Sequence, residues 1–211
     1  MNNKELLASF SKDQLIELIG IYSKNWLAMD GVWFQSVERK FGMDEAMFHD
    51  VEIWKRFTVT EARRIKAFLH LEEHPGLEGL ATALRLRFYG SINEDSVELI
   101  YDNPDNADGP AGPENAENSE VLENAGAAAA LIKDSRTKAS RLVYTMVDCR
   151  VQTARAKKGM EFHPCKPVGE VEYSGFAKEI DDRIVCRCLS CYPEITDTAC
   201  CCKWEFTYRD Q

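Results

Sequence analysis

Apolar residues recur at steps of three and four along the first ninety positions, and beyond residue 93 the rhythm shifts toward alternation. Residues 11–39 place Leu15, Leu18, Ile19, Tyr22, Trp26, Met29, Trp33 and Val37 on one helical stripe, with Ser11 as a candidate N-cap and a bend expected near Gly31. The run MDEAMFHDVEIWKRFTVTEARRIKAFL predicts two further helices, the second starting at Thr58 or Thr60. GLEGLATALRLRFYG predicts another, ended by Gly90. SVELIYD alternates as a strand, ASRLVYTMVDCRVQTAR reads as a strand with a polar end, and PVGEVEYSGFAKEID suits a short helix. DRIVCRCLSCY and CCCKWEFTY are β-rich runs on either side of a turn containing Pro193 and Asp197. The expected fold is α+β, with N-terminal helices packed on a roughly four-stranded, mostly antiparallel sheet. Its parts are a helical stretch, 1–92, and a sheet-containing, cysteine-rich stretch, 93–211, integrated in one domain.

Composition changes this picture in one place. The 211 residues carry a formal charge of −9, yet residues 102–124 hold seven acids and no Lys or Arg, which leaves −2 on the rest. That segment, rich in Pro, Gly and Asn, reads as an exposed acidic loop. The acidic balance argues against a nucleic-acid surface, because phosphate contacts need Lys and Arg. No signal-peptide core or membrane-length apolar run is present, so the expectation is a cytosolic protein with a small-molecule ligand, no nucleic acid and no membrane partner; homodimerisation stays open.

All eight cysteines lie after residue 148, six of them between Cys186 and Cys202. In a reducing compartment such clustering points to metal or redox chemistry more than to structural disulfides. Cys188 and Cys191 have the C-x2-C spacing that lets two thiolates reach one zinc, and Cys200, Cys201 or Cys202, with Cys165, could complete the site. The competing readings are an iron-sulfur cluster, a dithiol redox pair, and packed free thiols. His163, two residues before Cys165, is a second-choice ligand.

The segment DCRVQTARAKKG gathers Asp148, Cys149, Arg150, Gln152, Arg155 and Lys158, a candidate pocket for a carboxylate or phosphate; read as a strand, it turns Arg150 and Gln152 to one face. If a reaction is run there, Asp148 is the candidate base, Cys149 the nucleophile and Arg150 the carboxylate anchor. Asp30, between Trp26 and Trp33, is expected on a buried face, paired with Arg63 or Arg64 or facing a ligand together with Trp33. His49 and Asp50 are poor joint ligands, since adjacent helix positions point about 100° apart. P-loop, dinucleotide-binding, H-E-x-x-H and nucleophile-elbow patterns are absent.

The run CKPVGEVEYSGFA, RIVCRCLSC and CCCKWEF resembles the small-ligand-binding domains of the vinyl-reductase type. That resemblance implies Cys165, Cys188, Cys191 and Cys202 as zinc ligands. NWLAMDGVWF, EARRI, MVDCRVQTARAKKG and VEYSGFAKEIDDRI resemble an uncharacterised prokaryotic cytosolic family distantly similar to 2-aminothiazoline-4-carboxylate hydrolase-like proteins. Two readings follow. One is a zinc-stabilised protein that binds an anionic or aromatic small molecule between helices and sheet; the other is a hydrolase of a cyclic amidine or amide.

Overall fold

The computed structural model describes residues 2–101 and 138–209; the acidic loop predicted over 102–124 lies outside them. The helices are α1 (Asn3–Ala8), α2 (Lys12–Phe41), α3 (Met43–Phe68), α4 (Gly76–Arg85), α5 (Arg150–Lys157) and α6 (Lys166–Ile180), with a 3-10 turn at Phe88–Ser91. The strands are β1 (Glu94–Ile100), β2 (Arg141–Asp148), β3 (Ile184–Cys191) and β4 (Cys202–Tyr208). They form one antiparallel sheet in the order β1-β2-β4-β3, as the α+β pattern predicts.

Ser11 caps α2 as expected: its hydroxyl accepts the Gln14 N–H at 3.2 Å while the Gln14 side chain accepts the Ser11 N–H at 2.9 Å. α2 ends at Gly42, whose φ of +93° gives the abrupt exit into α3 that a residue with a Cβ resists. Residues 43–68 form one helix where two were expected. Thr60 donates to the Arg56 carbonyl and Thr58 to the carbonyl of Glu172 on α6, so both hydroxyls are spent without capping a new helix. Likewise DCRVQTAR leaves the strand at Asp148 and winds into α5, so Arg150 and Gln152 do not share a strand face.

Three layers result. The sheet lies beneath α6, and α3 packs across the far side of α6, with α2 alongside α3. Trp204 on β4 fits under Gly169 of α6, where any Cβ would overlap the indole ring. Tyr173 packs tilted against the same ring at 4.8 Å. Leu77, Leu80, Leu84, Leu142, Phe176, Ile180 and Phe206 fill the core below; each buried side chain of this size contributes about 1.5–3 kcal/mol.

Arg87 is buried in this layer, 2.8 Å from Glu61 of α3 and 2.6 Å from Glu172 of α6, with Trp54, Tyr89, Tyr173 and Phe176 around its guanidinium. Burial opposes its charge, but the two carboxylates hold it protonated. The Arg63 and Arg64 expectation for Asp30 fails: Arg63 pairs with Glu179 at 2.6 Å, and Asp30 faces a cavity.

Candidate functional site

Between α2, α3 and the polar ends of β2 and β4 lies a cavity of about 600 Å³. Its walls are largely apolar and aromatic, including Phe34, Trp54, Tyr89, Tyr173 and Trp204. It is lined by four thiols (Cys149, Cys165, Cys191, Cys202), four carboxylates (Asp30, Asp50, Asp148, Glu172) and His163, with Lys24, Arg150, Arg155, Lys157 and Lys158 also on its walls.

At one wall three of these groups form a chain. His163 Nδ1 lies 3.1 Å from the Cys165 sulfur, and Nε2 lies 3.0 Å from Asp50 Oδ2. A carboxylate only accepts, so it fixes the ring proton on Nε2 and leaves Nδ1 free to accept a proton from the thiol. The Phe34 ring covers the imidazole at 4.6 Å, and Asp50 and His163 are only 6% and 7% exposed, so little water competes for these contacts.

Local sequence explains the placement. Asp50 sits on the buried stripe of α3 with Ala46 and Trp54, whereas its neighbour His49 turns out to solvent and pairs with Glu45, the divergence expected of adjacent helix positions. Cys165 is the N-cap of α6; Pro167 follows in the first turn, and the Cys165 carbonyl accepts the Gly169 N–H at 2.8 Å. Its sulfur therefore lies at the positive end of a helix dipole, where negative charge on sulfur is favoured. Gln152 ties His163 and Cys165 together: Oε1 accepts the His163 N–H at 3.0 Å, and Nε2 donates to the His163 carbonyl at 2.8 Å and to the Cys165 sulfur at 3.3 Å.

Burial pushes the Cys165 thiol well up, with the nearby Cys149, Cys202 and Asp50 acting in the same direction. Cys165 thus rests as a neutral thiol. Burial raises Cys149 as well, to about 11.

Residues expected to act together are only partly brought together. Asp148, Cys149 and Arg150 all line the cavity, but the Asp148 carboxylate accepts from the Thr153 hydroxyl at 2.8 Å. Arg155 lines the cavity too but is buried, held bidentately by Glu38 at 2.8 and 2.7 Å, and donates to the Glu161 carbonyl. Lys158 donates to Gln35 at the rim. Trp33 is 41% exposed, edge-on to His49 and outside the cavity, and Trp54 of α3 supplies the indole wall instead.

Of the four predicted zinc ligands, Cys165, Cys191 and Cys202 share the cavity. A β-bulge between Cys188 and Ser190 keeps Cys188 on the same sheet face. Trp204 divides them, however, and Cys188 lines a separate groove with Cys186, Lys166 and Glu170. Cys200 and Cys201 line neither. Among the described residues no three of these thiols bring their sulfurs within 4.8 Å of one another; His74, Asp181 and Asp182 do so with their ligand atoms, but Asp181 is already paired with Arg183 at 2.7 Å.

Two cavity carboxylates have unusual affinities for protons. Burial, reinforced by Asp50, raises Asp30 to about 6, and burial raises Glu172 to about 7 against the opposing pull of Arg87. A carboxyl with a raised folded value favours the native state below its unfolded value, and that contribution is lost as pH rises through the folded value. The urea midpoint should therefore rise as pH is lowered from 8 to about 5, and the combined Asp30→Asn, Glu172→Gln chain should lose most of that slope. Asp181, whose burial is outweighed by bonds from Arg183 and the Gly76 N–H, is held below its ordinary 3.8 and acts oppositely only at lower pH.

Fold and site define an α+β protein with a Cys–His–Asp chain on the wall of an aromatic-lined cavity. The chain belongs to the Family of unknown function (DUF6125), whose model matches residues 8–104 and 127–208. No curated protein and no solved structure matches it. No described helix is long and apolar enough to cross a membrane.

Proposed function

We propose that the chain is a thiol-dependent hydrolase of a small cyclic amide or amidine. The observation that carries this reading is the hydrogen-bonded order Asp50, His163, Cys165 on one cavity wall. Cys165 attacks the ring carbon while His163 Nδ1 takes its proton. The ring C–N bond breaks, and the departing nitrogen receives that proton. Water, deprotonated by His163, then displaces the thiolate from the acyl-like intermediate, which regenerates the thiol. Asp50 holds the imidazole and offsets its charge, while Gln152 Nε2 is a donor beside the reacting sulfur. The apolar walls suit a ring, and Arg150 with the lysines of the lining supplies charge for a carboxylate. The choice of bond follows the resemblance of NWLAMDGVWF and its companion segments to an uncharacterised family distantly similar to 2-aminothiazoline-4-carboxylate hydrolase-like proteins.

A zinc-stabilised ligand-binding protein is the second reading, favoured by the presence of Cys165, Cys191 and Cys202 on one cavity with His163 adjacent. Both readings claim the same sulfur, so one experiment separates them. Protein purified without chelator is assayed for metal and treated with one equivalent of iodoacetamide, and the alkylated residue is located by peptide mass. Metal-free protein labelled first at Cys165, with labelling slowed in His163→Ala, supports the hydrolase. About one equivalent of zinc with Cys165 protected supports the metal site, and a brown chromophore would indicate an iron-sulfur cluster.

A further inference from the structure

Cys191 ends β3 and Cys202 begins β4, and the two are register partners across the antiparallel pair. The backbone shows which kind of partners they are. The Cys191 N–H donates to the Glu194 carbonyl at 3.2 Å, and its own carbonyl accepts the Glu194 N–H at 2.7 Å. In an antiparallel ladder both polar groups of a residue point to the same side, so those of Cys191 turn toward Glu194 and away from β4. Cys191 and Cys202 consequently form a non-hydrogen-bonded pair, the arrangement that brings Cα atoms to about 4.5 Å and side chains closest together. That separation lies within the ~4.4–6.8 Å range that a disulfide spans. Both residues line the cavity wall, and Cys191 is the foremost influence on the Cys202 thiol.

We propose that Cys191 and Cys202 are a reversible oxidation site, a dithiol that closes to a cross-strand disulfide in the wall of the cavity. With a peroxide as oxidant, one sulfur attacks the peroxide oxygen, the O–O bond breaks, and a sulfenic acid and one water form. The second thiol then displaces the hydroxyl as a second water and the S–S bond forms. Two thiols lose two electrons and two protons, and the peroxide is reduced to two waters. A small-molecule dithiol reverses the process. The bridge requires no contribution from Cys165, so it stands or falls separately from the hydrolase reading.

The test uses the full chain, treated with a small excess of hydrogen peroxide, quenched by alkylation under denaturing conditions and mapped by peptide mass. The expected result is a loss of about 2 Da in a single bridge joining the Cys191 and Cys202 peptides, restored by dithiothreitol. The bridge should persist in Cys165→Ser and be absent from Cys191→Ser and Cys202→Ser. A bridge between other cysteines, sulfinic acids at these two positions without a bridge, or zinc that survives the treatment with both thiols still blocked would each overturn the proposal.

Discussion

Hydrolysis of a thiazoline-type or hydantoin-type ring is expected to fall on the order of 10³-fold or more in Cys165→Ala, and by a similar factor in His163→Ala. Removal of either group ends the transfer of the thiol proton, so the double variant should be little worse than the single ones. Asp50→Asn should be nearly as damaging, because an amide can donate to Nε2 and drive the ring proton onto Nδ1, the atom that must accept from sulfur. Gln152→Ala should cost less, since it loosens the geometry without removing a reacting group. Cys149→Ser supplies the contrast: turnover should stay within about threefold, because His163 has its hydrogen-bond contacts with Cys165 and Asp50 and not with that thiol. Steady-state kinetics with urea midpoints for each variant separate chemistry from folding. Full activity in Cys165→Ala together with loss in Cys149→Ser would transfer the role of nucleophile to the Asp148, Cys149, Arg150 segment.

Replacement of Arg87 by Met should destabilise the fold by about 3–5 kcal/mol, the usual result of leaving buried carboxylates without their cation. For a chain of this size that corresponds to a fall in melting temperature of roughly 6–20 °C. Both partners are buried, and the aromatic rings around the guanidinium offer them no other charge. Replacing all three members together, as Arg87→Met with Glu61→Leu and Glu172→Leu, should restore most of the stability, since such a cluster gains little over apolar packing of equal volume. Thermal unfolding followed by circular dichroism decides it. An unchanged midpoint in Arg87→Met would remove the ion cluster from the account of what holds α3, α6 and the 3-10 turn together.

Local signals in the sequence were read correctly where they act locally. Ser11 marks the start of α2, alternation marks β1, and β-rich composition marks β3 and β4, because caps and strands are decided by residues a few positions apart. Thr58 misled for the opposite reason: its hydroxyl is consumed by the carbonyl of Glu172, more than a hundred residues away. The turn of DCRVQTAR from strand to helix is set by the end of the sheet partnership at Asp148 and by Asn93 accepting the Arg150 N–H at 2.9 Å, neither of which shows in the periodicity. His163 and Cys165 stood out through their spacing as a ligand pair. Asp50 could not be joined to them, since only the docking of α3 against α6 makes them neighbours.

That docking also governs when the chemistry comes into being. Asp50 and His163 are 113 positions apart in the chain, a separation like those of the contacts that hold α3 to α6, such as Thr58 with Glu172 at 114 and Arg63 with Glu179 at 116. On a ribosome, α2 and α3 emerge well before α6 exists, and such long-range pairing is among the slower events of folding. Until it is complete, Asp50 cannot hold the imidazole of His163 beside Cys165. If Cys165 is the nucleophile proposed above, the competence of its sulfur is a readout of finished assembly.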